Sequence, residues 1–303
     1  MSHNDASVKS ILFALLANLG IAITKSVAAF LTGSGAMLAE AIHSFADCGN
    51  QGLLFLGLSK TSKHPDAEHP LGYGKEIYFW SFIVALILFS MGGLFSVYEG
   101  IHKITGHEGL KNPMIAIVVL SVSIVLEAFS LYTCVVQINK VRHGTSLWKW
   151  LKNTRRSELV VVLGEDVAAL IGLMLALAAV LLTHLTGNPV YDAMGSIAIG
   201  TLLIILSGFL AVKVKSLLIG QSSDPETREK ILQFLNSRED IEEILNVITL
   251  QLGPKVMVAI KALMKNTSTT EQMIRNINAC ERDLKAAFPE IQWVFFEPDI
   301  KKE

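Results

Sequence analysis

Residues 36–58 read AMLAEAIHSFADCGNQGLLFLGL. The stretch is long enough to cross a bilayer as a helix, which takes roughly 20 residues. Yet it carries Glu40, His43 and Asp47, followed by Asn50 and Gln51. Spacings of three and seven residues put Glu40, His43 and Asp47 on one helical face. His43 and Asp47, four apart, stack an imidazole and a carboxylate on successive turns, where together they can hold one cation. Ionisable groups inside a membrane span are costly and face a cavity or a partner, so these letters decide the reading.

Outward from it, the segments 11–31, 77–98, 113–136, 159–183 and 193–212 are of the same kind, and Ile77 to Tyr98 contains no charged residue. The 303-residue chain is 51% apolar and 17% charged, whereas soluble domains run nearer about a quarter charged. A soluble helical protein would have to repeat core helices of this length six times, which such folds rarely do. After about residue 220 charges become dense and no run could span a membrane. The expected architecture is an α-helical membrane protein with six transmembrane helices, residues 1–218, followed by a soluble α+β domain, residues 219–303.

Met1–Lys9 is short and polar, and the first span holds Asn18, Gly20 and Lys25 without a small-residue cleavage pattern, so this span is expected to stay in the protein. The absence of an Arg-rich amphipathic leader favours a bacterial inner membrane. With the N-terminus inside, Lys9, Lys60, Lys63, Lys75, Lys140, Arg142, Lys149, Lys152, Arg155 and Arg156 face the cytoplasm, against Lys103 and Lys111 outside. That asymmetry puts both termini in the cytoplasm. Cys48, Cys134 and Cys280 form neither a disulfide framework nor a Cys-x-x-Cys metal motif. The formal net charge of −1 does not point to any partner, and no nucleic acid is expected.

Counting inward from the cytoplasmic span ends at about 1.5 Å per residue, Asn18, Asp47, Glu127 and Asp166 all lie roughly 10–16 Å deep. Four polar groups on four spans in one layer read as a binding site, with His43 one turn further out. Asn18 is a ligand or interhelical glue. Glu127 is a ligand, a neutral packing residue or a proton relay. Glu165 lies about 100° around the helix from Asp166 and need not share its role. Glu40, nearer the outer surface, lines the exit path or adds a ligand, and Lys25 is placed to snorkel outward.

Ala39-Glu40-Ala41-Ile42-His43-Ser44-Phe45-Ala46-Asp47, the preceding Ser34-Gly35-Ala36-Met37-Leu38, and His69-Pro70-Leu71-Gly72-Tyr73-Gly74-Lys75 resemble the cation diffusion facilitator family. Val162–Asp166 and Gly187–Asp192 are similar to its zinc transporter nine-like subgroup, which includes an animal mitochondrial zinc transporter. The resemblance covers essentially the whole chain. It implies a homodimer of metal/proton antiporters with a site between the second and fifth spans and a ferredoxin-like cytoplasmic domain. His43 and Asp47 match the second-span ligand pair and Asp166 the fifth-span aspartate. The family's fifth-span histidine falls on Val162 here, so Glu127, Glu165, Asn18 or water must complete the site. One imidazole among oxygens suits zinc less exclusively, and leaves manganese, cobalt and iron(II) open. In many relatives a loop Asp and two His form a second site. Here Asp66 and His69 are in place, the second His is Tyr73, and His64 and Glu68 could compensate, so a weak or absent loop site is expected.

The tail reads helix, strand, strand, helix, strand. Asp224-Pro225-Glu226 opens a helix; 245–252 and 256–263 flank the turn Gly253-Pro254-Lys255; Ser268-Thr269-Thr270-Glu271 is a capping sequence for a helix to about 287; and 291–296 is a last strand. The tail has no His and one Cys, so dimerisation is its expected work rather than metal binding. The reading is a secondary transporter exporting divalent cations, zinc first, against protons by alternating access. It is not an enzyme, its partners are the bilayer, divalent ions, protons and a second copy, and no cofactor beyond the transported cation is expected. A channel would want a carboxylate ring or Gly-rich filter, and a metal-dependent intramembrane hydrolase a motif such as His-Glu-x-x-His; the chain carries neither.

Overall fold

The computed structural model describes residues 3–106, 110–142 and 144–300, with side chains from Asn18 onward; the side chains of the Met1–Lys9 leader lie outside the described residues. Helices α1 (His3–Thr32), α2 (Gly35–Thr61), α3 (Glu76–Ile87), α4 (Phe95–Gly106), α5 (Pro113–Val141), the short α6 (Leu147–Asn153), α7 (Ser157–Thr186) and α8 (Val190–Ile219) follow in order. A π-helical segment, Leu88–Leu94, joins α3 to α4, so that Glu76–Thr105 runs as one apolar rod.

Among the described residues four helices are long and apolar enough to cross a membrane: Glu76–Thr105, Pro113–Val141, Ser157–Thr186 and Val190–Ile219. Within the described side chains the apolar part of α1 covers Asn18–Thr32. Helix α2 has the length, 27 residues, but its row of polar side chains lowers its hydropathy. Polarity is inverted relative to a soluble protein. Phe30, Val125, Phe129, Ile205 and Val212 lie on the surface, while Lys25, Glu40, His43 and Asn50 are buried. Apolar side chains turned outward and polar ones inward are what a lipid surround demands, and the chain is a multi-pass membrane protein.

Turn chemistry sets the helix ends. Helix α1 stops at Gly33, whose φ of 65° is the left-handed conformation favoured after a helix, and the Gly33 N–H closes on the Ala29 carbonyl at 2.9 Å. Ser34 then caps α2, its Oγ accepting from the Met37 N–H at 3.0 Å. The α4 and α8 backbones meet through glycines. A Cβ on Gly100 would lie 2.7 Å from the Ala193 carbonyl oxygen, and one on Gly200 2.7 Å from the Gly93 carbonyl oxygen. Small residues at such crossings let membrane helices pack by close backbone contact.

The described chain divides into two compact units. One runs to Leu56 and includes Trp80–Thr145 and Glu158–Val214; the other comprises Gly57–Phe79, Ser146–Ser157 and the chain from Lys215 onward. In the second unit, α9 (Pro225–Asn236), β1 (Ile241–Leu252), β2 (Lys255–Met264), α10 (Thr270–Ala287) and β3 (Ile291–Pro298) form a small α+β arrangement. The sheet order is β1-β2-β3, antiparallel between β1 and β2 and parallel between β2 and β3. Val256, Val258, Ile260 and Ala262 alternate inward along β2 and pack with Ile231, Leu235, Cys280, Leu284 and Ile291. Asp224 caps α9 by accepting from the Thr227 N–H at 3.0 Å, and Thr269 caps α10 through the Gln272 N–H at 3.2 Å. Strand β1 begins at Ile241, four residues before the expected 245. Its first residues Glu242 and Glu243 are exposed and its early register shifts twice, so no strict alternation marks it in the sequence.

Candidate metal site

The helix that carries most of the candidate ligands is fixed at its start from another helix. Asp192, in the first turn of α8, accepts from the Gly35 N–H at 2.6 Å and the Ala36 N–H at 3.4 Å, and bonds the Ser34 hydroxyl. The carboxylate thus satisfies free N–H groups at the start of α2, where the helix dipole also favours negative charge. Lys103 of α4 pairs with the same carboxylate at 3.3 Å and donates to the Gly33 carbonyl.

One and a half turns into α2, Glu40 is fully buried and ion-paired with Lys25 of α1 at 3.2 Å, and the Lys25 ammonium also donates to Ser44 Oγ at 2.8 Å. Lys25 is 1% exposed. It therefore does not snorkel as its sequence position suggests, because it faces α2, where two acceptors hold its ammonium inside. Three turns further along, Asn50 Nδ2 donates to Glu165 Oε1 of α7 at 2.6 Å. A Cβ on Gly172 of α7 would run into the Glu40 carboxylate. Asn50 opposite Glu165 and Glu40 opposite Gly172 make α2 and α7 antiparallel. On that register Asp47 and Asp166 lie within about one turn, ~5 Å, of each other along the axes.

Between the two paired levels stand His43 and Asp47. His43 is 1% exposed, and its Nδ1 lies 3.6 Å from Asp47 Oδ1. Asp166 is half-buried, with Oδ1 3.5 Å from Ser130 Oγ of α5. Buried polar atoms are nearly always hydrogen-bonded, and each exception calls for a reason. Among the described residues nine buried side-chain N or O atoms have no such partner, and six of them cluster here: Glu40 Oε1, His43 Nδ1 and Nε2, Asp47 Oδ1, Asn50 Oδ1 and Asp166 Oδ2. An imidazole and carboxylate oxygens held out of water without donors are a fitting set for a dehydrated divalent cation.

The structure brings His43 and Asp47 together, and Asp47, Glu127, Glu165 and Asp166 lie within electrostatic reach of one another. It does not close them into one coordination sphere: among the described residues no three His, Cys, Asp or Glu side chains are grouped tightly enough to hold a metal. Glu127 is half-buried on α5, Asn18 is half-buried on α1, and Val162 is half-buried one turn before Asp166. Sequence reasoning missed the partners Lys25, Ser44, Asn50 and Asp192. A polar letter in an apolar run marks each one, but which helices face each other is written only in the fold.

In the loop of the second unit, Asp66 Oδ2 accepts from Tyr73 OH at 2.6 Å and from Lys63 Nζ at 3.4 Å. Lys63 donates to Tyr73 OH at 2.8 Å and lies 4.1 Å from the ring centroid. Asp66 Oδ1 accepts the His69 and Glu68 N–H groups at 2.8 and 3.1 Å, and His69 Nδ1 lies 3.6 Å away. The Tyr73 hydroxyl, then the His69 N–H and Lys63, hold the Asp66 carboxyl well below the usual carboxylate range. Asp66 is thus already met by a cation and a phenol of the chain itself. His64 and Glu68 are exposed.

Residues 11–219 match the cation efflux transmembrane domain. The chain is 37% identical over 234 residues to the mouse protein named proton-coupled zinc antiporter SLC30A9, mitochondrial, a match spanning 76% of this chain and 41% of the mouse protein. It is 32% identical over 254 residues to metal tolerance protein C4 of Arabidopsis thaliana, 83% of this chain and 56% of that protein. Magnetosome protein MamB of Magnetospira sp. is 29% identical over 193 residues, 63% of this chain and 60% of its own length. The chain thus spans less than two thirds of the length of each of these relatives.

Proposed function

The chain belongs to the cation efflux family, and from that premise we propose that it is a secondary transporter that exports divalent metal cations, zinc first, from the cytoplasm in exchange for protons. The observation that carries the reading is the run of unpartnered buried nitrogen and oxygen atoms at His43, Asp47 and Asp166, flanked along α2 by the Lys25–Glu40 and Asn50–Glu165 contacts. The relatives named as zinc antiporters support zinc and proton coupling. A single imidazole, with Val162 where a second would stand, keeps manganese, cobalt and iron(II) as alternative cargo.

In this reading α1 and α2 also cross the bilayer, giving six spans over 1–218, with a ferredoxin-like dimerisation domain over 219–303 and both termini in the cytoplasm. The excess of Lys and Arg on one set of loops supports the orientation. The cation binds His43, Asp47 and Asp166 from inside, with Glu127, Glu165, Asn18 or water completing its shell. Binding draws α2 and α7 together, and rocking of the bundle opens the site outward. Carboxylates and imidazole must be deprotonated to bind metal, so protons arriving from outside release it. A proton load on the emptied site also lowers the cost of returning it through the membrane.

The test is proton flux into liposomes loaded with a pH-sensitive dye, wild type against Asp166→Ala, with zinc, manganese, cobalt and iron(II) added in turn. Metal-driven flux that the substitution abolishes is the expected result, and it names the cargo. Folded protein that moves no protons with any of the four metals overturns the coupling.

A further inference from the structure

The buried ion pair of Lys25 and Glu40 has no part in the ligand set. Both side chains are all but inaccessible, at 2% and 0% exposure. The lysine ammonium makes two contacts, with Glu40 Oε2 at 3.2 Å and Ser44 Oγ at 2.8 Å. Ser44 directly follows His43, and Glu40 is three residues before it, so the ammonium sits against the α2 turns that carry the ligands. It is also within electrostatic reach of His43, Asp47 and Glu127. Helix α7 makes room for the pair at Gly172, where any side chain would strike Glu40. Isolated charges at this depth are excluded by their desolvation cost, and a paired one that persists marks a functional constraint.

We propose that Lys25 is a tethered counter-cation that sets the charge of the transport site: its ammonium answers Glu40 permanently, keeps that carboxylate out of the coordination shell, and leaves one divalent cation to be met by Asp47 and Asp166. The proposal rests on the transporter reading given above. Without the ammonium, Glu40 adds a negative charge beside His43. The site then holds dications more tightly and lets them go more slowly, so Lys25 sets both affinity and release.

The experiment is calorimetric zinc and manganese binding to the full chain in detergent, with liposome flux on the same preparations, for wild type, Lys25→Arg, Lys25→Met and Lys25→Met/Glu40→Gln. Lys25→Met is expected to bind both metals at least about tenfold more tightly, the effect of one unit charge several ångströms away in a protein interior, with KM and maximal flux falling together. The double variant restores wild-type affinity and flux, and Lys25→Arg stays near wild type. Unchanged affinity in Lys25→Met, or a folded double variant whose affinity departs tenfold from wild type, overturns the proposal. Should Lys25→Met fail to fold, the double variant alone decides, since the proposal requires it to bind metal as wild type does. Wild type that binds none of the metals overturns the transporter reading along with it, whereas wild-type binding with no charge dependence overturns only the role of Lys25.

Discussion

Replacing Asp192 with Ala is expected to loosen the helix that bears His43 and Asp47. The carboxylate is 2% exposed and takes a strong bond from the Gly35 N–H at 2.6 Å, a weak one from Ala36 at 3.4 Å, and the Ser34 hydroxyl. Its loss strips the α2 start of an anionic cap, worth about 1–2 kcal/mol. It also leaves the Lys103 ammonium, whose side chain is 17% exposed, with the Gly33 carbonyl but no carboxylate. Removing one partner of a largely buried pair costs about 3–5 kcal/mol in all, the cap included. At about 2–4 °C per kcal/mol for a domain of this size, the unfolding midpoint should fall by roughly 10 °C. Asp192→Asn keeps an acceptor for Gly35 and should lose about half as much, and Ser34→Ala only about 1 kcal/mol. The assay is thermal unfolding in detergent followed by tryptophan fluorescence, at one lipid concentration and one scan rate, since unfolding of this kind is a rate as much as an equilibrium. Zinc affinity should fall in the same order if the proposed transport site holds, because the capped helix positions the candidate ligands His43 and Asp47. An Asp192→Ala midpoint within about 2 °C of wild type would refute the view that α8 fixes the start of α2.

Burial pushes the Cys280 thiol up to about 11, so in a Cys48→Ser/Cys134→Ser background it should stay unreactive to a maleimide between pH 7 and 9 and react at once on unfolding. A raised thiol is neutral throughout that window, so measurable native-state labelling at pH 8 would contradict the packing of α10 on the sheet. Gly74→Ala should detach the loop of residues 62–75 from the β1–β2 turn, because its Cβ would run into the Leu252 backbone, which cannot yield as a flexible side chain can. Limited proteolysis should then cut this loop at least about tenfold faster, with the sheet domain still folded, and wild-type resistance would count against the contact.

The sequence made α2 legible because a membrane span has so few polar letters that each one is informative. Glu40, His43 and Asp47 announced a face, and the alternation of Val256, Val258 and Ile260 announced β2 as plainly. What stayed hidden was pairing between helices. Lys25 near the end of a span reads as a snorkelling residue, and that logic fails only because α1 turns it toward Glu40 and Ser44. Asp192 reads as an acid well placed in the first turn of its own helix, yet its carboxylate caps a helix more than 150 positions away in the chain. Spacing along one helix gives the face, but the partner on another depends on packing that no local pattern encodes.

That pairing is also what singles out the site. Along α2 the start is answered by Asp192, Glu40 and Ser44 by Lys25, and Asn50 by Glu165. His43 and Asp47 lie between those levels on the same stretch of helix, the first fully and the second mostly buried, and their nearest approach is to each other, at 3.6 Å. Glu40 and Asn50 each keep one oxygen unpartnered as well, but each has a partner for its other polar atom on a neighbouring helix, which the His43 imidazole has for neither nitrogen. The imidazole nitrogens of His43 and Oδ1 of Asp47 are instead kept free of donors, as is Oδ2 of Asp166 on α7, whose other oxygen meets Ser130. Donor-free carboxylate oxygens and imidazole nitrogens are costly as permanent furniture of a membrane interior and are put to use where a cation or protons come and go, which is why this level of α2 is the part of the helix proposed to bind cargo.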